Sequence, residues 1–279
     1  MDSTKGIVAI LSFVCYHASM FWRLFRKRKI GLVLGGGVAR GIAHIGVLKA
    51  VQKYKIPVEY IAATSSGAIA AAAFAAGMDV KLIEEIGESI RWGKIIRFSF
   101  FRPGFISGKA IEELIVKHIG NKQFSELKIP MSVIAADLVT GQTVVINRGS
   151  VAKGVSASSA FPGIFAPEEV NQRFVVDGGI ANNLPVDVVK RMGANFVIAS
   201  DVIPSEPVHY IPSDPFRVFS RSLDIVLHKL SIEQRKKADI LIEPQYEVDI
   251  YPFDLNRVKV MIAAGEKAAI QAFERLKLS

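Results

Sequence analysis

The sequence predicts an α/β fold: a single domain with a mostly parallel central sheet flanked by helices, preceded by an apolar N-terminal helix. Three observations carry this expectation. From residue 30 onward short apolar runs alternate with helical patterns, the order expected of strand–helix–strand units. No repeat, low-complexity tract or Pro/Ser-rich linker interrupts residues 30–279, which therefore read as one unit. The chain has 279 residues, 50% of them hydrophobic, enough to bury a full core.

The apolar leader comes first. Gly6 to Trp22 carries no charge, and Arg23, Arg26, Lys27, Arg28 and Lys29 follow it. As a helix this stretch is roughly 25 Å long, slightly short of a bilayer core, and a snorkelling Arg23 extends it. A signal peptide places its charge before the apolar stretch; here the charge comes after. Residues 1–29 are therefore expected to be a membrane anchor, spanning or interfacial, with residues 30–279 on the cytoplasmic side by the positive-inside rule. A helix packed on the domain is the alternative.

Within the domain, Ile30 to Leu34 reads as the first strand, and Gly41 to Lys55 as a helix with Ile42, Ile45, Leu48 and Val51 at helical spacing. Val58 to Ala63 is a second strand, and the Ala-rich Gly67 to Ala76 is a buried helix. Helices follow at Asp79 to Arg91 and Lys109 to Ile119. Between them Trp92 to Phe105 mixes aromatics with Arg97 and Arg102, and reads either as a lid or membrane-facing loop or as ordinary core. Pro130 to Asp137 and Thr143 to Asn147 form a hairpin through Thr140-Gly141-Gln142. Val151 to Ala160 is a small-residue helix stopped by Pro162 and Gly163. Arg173 to Val176 is a strand that runs into Asp177-Gly178-Gly179. A Pro185-started helix, a strand at Asn195 to Ser200, a helix near Phe216 to Lys236, a strand at Ile240 to Glu243 and a closing helix from about Asp254 complete the domain.

Composition removes several function classes. The formal charge of +9 and mean hydropathy of +0.31 are compatible with an anionic membrane surface. No helix-turn-helix pattern, RNA-binding signature or zinc spacing accompanies that charge, so nucleic acid is not expected as a partner. Cys15 is the only cysteine, which excludes a disulfide framework and a cysteine metal site; neither metal nor cofactor is expected.

Three short segments carry chemistry. Gly35, Gly36 and Gly37 follow the first strand and lead through Arg40-Gly41 into a helix. The P-loop ending is missing, and the dinucleotide fingerprint lacks its third glycine. The loop suits instead an anionic oxygen held by backbone N–H groups, with Arg40 as a nearby positive charge. Ser65 follows the second strand in Ala63-Thr64-Ser65-Ser66-Gly67, the small-x-Ser-x-Gly form of a nucleophile elbow, although a helix N-cap would also place a serine there. None of His17, His44, His118, His209 and His228 follows a strand end as a triad histidine would. Asp177 does, and Gly178-Gly179 after it lets the backbone turn closely; an Asx turn is the plainer reading. Burial would raise that carboxylate's pKa and make it a plausible base.

In this order the three segments resemble the patatin-like phospholipase family, over roughly residues 30–205. Val155-Ser156-Ala157-Ser158-Ser159-Ala160-Phe161-Pro162 resembles the family's small-residue helix ending in proline. Ala63 replaces the family's first elbow glycine. The resemblance implies a Ser65–Asp177 dyad without histidine and an oxyanion hole at Gly36 and Gly37. Gly35, Arg40, Gly41, Gly67, Gly178 and Gly179 would support the motifs, and Asp137 would be a turn carboxylate. The implied activity is lipid acyl hydrolysis (phospholipase A or esterase type), with a lipid or acyl ester as substrate and a membrane surface as partner. An acyltransferase or thioesterase on the same dyad, and a non-catalytic membrane-tethered lipid-binding protein, stay open as alternatives.

Overall fold

A computed structural model describes residues 28–90, 107–205, 214–246, 250–251 and 255–278. The expected N-terminal helix and the aromatic–basic stretch Trp92 to Phe105 lie outside the described residues.

The strands are β1 (Ile30–Leu34), β2 (Val58–Thr64), β3 (Met131–Asp137), β4 (Thr143–Ile146), β5 (Glu168–Val170), β6 (Arg173–Asp177), β7 (Phe196–Ser200) and β8 (Ile240–Ile242). They form one eight-stranded sheet in the order β5-β6-β3-β2-β1-β7-β8, with β4 also paired to β3. Strands β3, β2, β1, β7 and β8 run parallel, whereas β4, β5 and β6 are antiparallel to their neighbours. The sheet is therefore mixed rather than mostly parallel. The physical reason is connection length: β4 and β6 return through short connections without a crossover helix, and such connections reverse the strand. Strand β5 has no apolar run to mark it in the sequence, since Glu168-Glu169-Val170 is paired only at the sheet's edge.

Helices cover both faces. Leu32 and Leu34 of β1 point into the larger core with α1 (Ala43–Lys53) and α2 (Ser66–Ala75), while Val33 points into a second core with Leu184, Val186 and Val189. Burial on both faces explains why β1 and β3 read as unbroken apolar runs. The remaining helices are α3 (Val80–Ser89), α4 (Lys109–Ile119), α5 (Val151–Ser158), the four-residue α6 (Gly179–Asn182), α7 (Val186–Arg191), α8 (Pro215–Lys236) and α9 (Val258–Leu278). A 3-10 turn at Val38–Ile42 precedes α1, so the α-helix proper starts two residues later than its apolar spacing suggests.

Ile134 of β3 pairs with Thr64 of β2 and with Val145 of β4; the next residue, Ala135, pairs with Asp177 of β6 and with Val144 of β4. Since β4 runs along one edge of β3, β2 and β6 must share the other. They approach along it from opposite directions, and their C-terminal ends meet. Gly178 is required at this junction: a Cβ there would lie 2.2 Å from the carbonyl oxygen of Ile134.

The closing helix α9 packs tightly on α1. A Cβ on Gly46 would meet the Ile262 carbonyl oxygen at 1.9 Å, and one on Gly265 would meet that of Ala43 at 1.9 Å. Backbone atoms cannot yield as side chains do, so Gly265→Ala forces the helices apart. We expect it to cost about 3 kcal/mol and to lower Tm by roughly 5–10 °C in a thermal melt followed by circular dichroism.

Candidate active site

Ser65 occupies the turn between β2 and α2 with φ 54° and ψ −128°, a left-handed conformation that costs a non-glycine residue on the order of 1–3 kcal/mol. Its neighbours hold it there. The Ser65 N–H donates to Ser158 Oγ at 2.9 Å, and the Ser65 carbonyl accepts from the Ala68 N–H at 2.8 Å. Gly67 passes against the end of β1, where a Cβ would lie 2.3 Å from the Leu34 carbonyl oxygen. Ala63, in place of the elbow's first glycine, is fully buried in β2 with its methyl in the larger core.

The meeting of β2 and β6 brings Asp177 to Ser65. The Ser65 hydroxyl donates to Asp177 Oδ2, and the Gly179 N–H donates to Oδ1 at 2.8 Å. Both residues are buried, Ser65 at 7% and Asp177 at 4% exposure. Burial pushes the Asp177 pKa up to about 6, against the lowering effect of the hydrogen bonds from Ser65 and Gly179. An ionised Asp177 can only accept, so the arrangement aims the serine proton at a carboxylate whose pKa lies near neutrality.

The glycine loop lies beside this pair: a Cβ on Gly36 would be 3.1 Å from the Ser65 Cβ and 2.6 Å from Asn183 Oδ1. Its N–H groups have internal partners. Gly35 donates to the Ser200 carbonyl at 3.0 Å, Gly36 to the Asn183 carbonyl at 3.4 Å, and Gly37 to Ser66 Oγ at 3.1 Å. Asn183 Nδ2 returns a hydrogen bond to the Gly36 carbonyl at 3.2 Å. His44 supports the loop from below. The Gly35 carbonyl can only accept, so Nε2 carries the proton and donates to it at 2.7 Å, while Nδ1 accepts from the Ser200 hydroxyl at 3.1 Å. Burial lowers the His44 pKa to about 4, leaving the ring neutral at pH 7.

Arg40 departs from its expected role. Its guanidinium is buried and donates to Asp224 Oδ2 of α8 at 2.7 Å, so its charge is neutralised there instead of facing the cleft. The adjoining Gly41 is needed for close approach, since a Cβ would lie 2.2 Å from Ser66 Oγ. Asp137 is a turn carboxylate whose Oδ1 accepts from the N–H groups of Val139 and Thr140, each at 2.9 Å.

Two recesses meet at Ser65. One, of about 30 Å³, holds Asp177 and is roofed by Leu223 and Leu227 of α8. The other is an apolar cavity of about 240 Å³ between α1, α2, α3 and α4, walled by Ile45, Ile69, Ala73, Ile83, Ile111 and Ile115. Of the described histidines none bonds Ser65; His118 lies on the wall of the larger cavity. No cluster of His, Cys, Asp and Glu able to hold a metal ion occurs among the described residues.

A strained serine bonded to a buried aspartate beside a glycine loop is the geometry that the three sequence segments pointed to. The family model for patatin-like phospholipase matches residues 32–190, which span the loop, the serine and the aspartate. The chain belongs to the patatin-like phospholipase family. An uncharacterized NTE family protein of Mycobacterium tuberculosis is 33% identical over 278 aligned positions, covering 90% of this chain and 48% of the relative. The neuropathy target esterase sws of Drosophila melanogaster is 32% identical over 197 positions, 66% of this chain and 14% of the relative. The chain thus spans about half the length of its mycobacterial relatives and a smaller part of the fly protein. VipD from Legionella pneumophila shares the fold, with a TM-score of 0.60 at 14% identity over 89% of this chain and 67% of its own. The type III effector ExoU does so with 0.54 at 15% identity, over 90% of this chain and 54% of its own.

Asn183, Ser158, Ser66 and the His44–Ser200 pair hold the loop and the elbow of this patatin-like chain, a role that no sequence motif gives them. The one visible signal was Asn182-Asn183, two amides between apolar Ile180-Ala181 and Leu184.

The raised Asp177 pKa has a consequence for stability. Between its ordinary value of 3.8 and about 6, the folded protein binds more protons at this site than the unfolded chain does. Stability from this group therefore falls as pH rises through that window and stays lower above it. Asp177→Asn removes the effect. In thermal melts the variant should be more stable than wild type at pH 8, by up to about 3 kcal/mol, with the gap closing as pH is lowered toward 4.

Proposed function

We propose that this chain is a lipid acyl hydrolase that cleaves fatty-acyl esters through a Ser65–Asp177 dyad and an acyl-enzyme. The observation that carries the reading is the hydrogen bond from the Ser65 hydroxyl to the buried Asp177 carboxylate, made where an apolar cavity opens. Family membership supports lipid hydrolysis in general, and the names of the relatives include an esterase.

In this mechanism Ser65 Oγ attacks the ester carbonyl carbon while its proton passes to Asp177 Oδ2. The tetrahedral oxyanion is met by the glycine loop. Gly37 is the better donor, because its N–H needs only to exchange the rotatable Ser66 hydroxyl for the oxyanion, whereas the Gly36 N–H is directed at a backbone carbonyl. Collapse breaks the ester C–O bond, and the alcohol or lysolipid leaves with the proton from Asp177. Water then attacks the acyl carbonyl as Asp177 accepts its proton; collapse breaks the Ser65 Oγ–acyl bond, the proton passes from Asp177 to Ser65 Oγ, and the fatty acid leaves. The acyl chain occupies the apolar cavity, and the leaving group departs through the recess beneath α8. No cofactor takes part. The uncharged Gly6 to Trp22 with its basic flank supports a place at the cytoplasmic face of a membrane.

Ser65→Ala and Asp177→Asn should each fold and lose about 10³-fold or more in turnover of p-nitrophenyl and phospholipid esters. Retention of most activity by either would remove the dyad. Since the base must be ionised to accept a proton, wild-type kcat/KM should fall as pH is lowered through about 6. Ala73→Phe fills the cavity, so palmitoyl esters should lose at least roughly tenfold relative to butyryl esters in a chain-length series.

A further inference from the structure

The roof of the dyad carries a surface that the hydrolytic chemistry does not use. Helix α8 turns Ser220, Leu223, Asp224 and Leu227 toward the recess that holds Ser65 and Asp177. Its opposite side is largely apolar: Val218, Phe219, Ile225, Val226, Leu230 and Ile232 are all exposed, Phe219 at 51% and Val226 at 48%. At 100° per residue these six fall on one side of the helix, which they share with Ser222, Lys229 and the mutually paired Lys236 and Glu233. Lys229 and Arg221 have no ion-pair partner among the described residues, whereas Arg217, Arg235 and Lys236 of the same helix are paired with Asp214, Asp201 and Glu233. Exposed apolar side chains interspersed with unpaired cations are the composition of a helix that lies in a bilayer interface. No helix among the described residues is long and apolar enough to cross a membrane.

We infer that the outer face of α8 docks on an anionic lipid bilayer and holds the Ser65 recess against the membrane surface. The inference rests on the lipid-hydrolase reading for its purpose, since a bilayer then presents the substrate. Charge complementarity selects the occupant: Lys236 and Glu233 cancel, Lys229 and Arg221 leave the face net positive, and a second copy would oppose two such faces whereas an anionic leaflet attracts one. The depth also fits. The site lies directly under α8, and a helix with its side chains is about 10–12 Å across, so an ester drawn out of the interface travels about one helix diameter to reach Ser65. Asp224, bonded to Arg40 on the helix's inner side, ties this docking surface to the glycine loop.

The test uses the full chain with Cys15→Ser and Val226→Cys, labelled at the new cysteine with a polarity-sensitive fluorophore. Vesicles of phosphatidylcholine mixed equally with phosphatidylglycerol should shift the emission to the blue, and phosphatidylcholine alone should do so much less. Adding Arg221→Glu and Lys229→Glu should weaken the response to mixed vesicles by about tenfold or more. In a second arm, Phe219→Glu with Val226→Glu should lower turnover of vesicular phospholipid at least fivefold and leave hydrolysis of a monomeric short-chain ester within twofold of wild type, as an interfacial role requires. No shift with mixed vesicles would overturn the inference, as would an equal shift with neutral vesicles or a shift without vesicles that grows with protein concentration. If wild type cleaves neither ester, the hydrolase reading fails by itself, and the fluorescence still decides whether α8 docks.

Discussion

Strands β2 and β6 share one edge of β3 and run toward each other along it, and the site exists because they do. Thr64 pairs with Ile134, and Asp177 with the very next residue, Ala135. The serine that follows one strand and the aspartate that ends the other therefore meet without any long loop to place them. Rigid strands set the distance, and Ser158 at the end of α5 fixes the serine backbone from a third direction. A parallel β6 would deliver Asp177 to the opposite end of its strand.

Burial is what gives this contact chemical meaning. A carboxylate at its ordinary pKa is a weak base, and desolvation is the dominant cause of the upward shift at Asp177. The surroundings keep other charges from undoing that effect. Arg40 is neutralised by Asp224, His44 is held neutral beneath the glycine loop, and Arg235 binds Asp201 and Glu243 at the end of α8. The same ion pairs clamp α8 over the recess at two places along its length. The roof of the site and its electrostatic insulation are thus one arrangement.

Much of this was legible in the sequence because it is local. Strands buried on both faces show as apolar runs, and helix α4 from Lys109 to Ile119 matches its periodicity residue for residue. Ser65 and Asp177 stood out because each follows an apolar run and is followed by small residues. What was not legible is long-range. The antiparallel sense of β6 depends on which edge of β3 it joins, and β5 is defined only by its partner. Asn183 and His44 act through contacts 147 and 156 residues away in sequence, and of the two only Asn183 leaves a local trace, as one of two amides between apolar neighbours. The ion pair of Arg40 is hidden for the same reason: its partner Asp224 lies 184 residues further on.

In the proposed mechanism a buried carboxylate, without a histidine, makes Ser65 a nucleophile. The most direct measurement is the rate at which a fluorophosphonate modifies the folded protein as a function of pH, with the adduct located by mass spectrometry. A single adduct on Ser65 is expected, formed faster as pH rises through about 6, with almost no adduct in Asp177→Asn. Labelling of Ser65 at the same rate in Asp177→Asn, or an adduct elsewhere in the site, would contradict this mechanism.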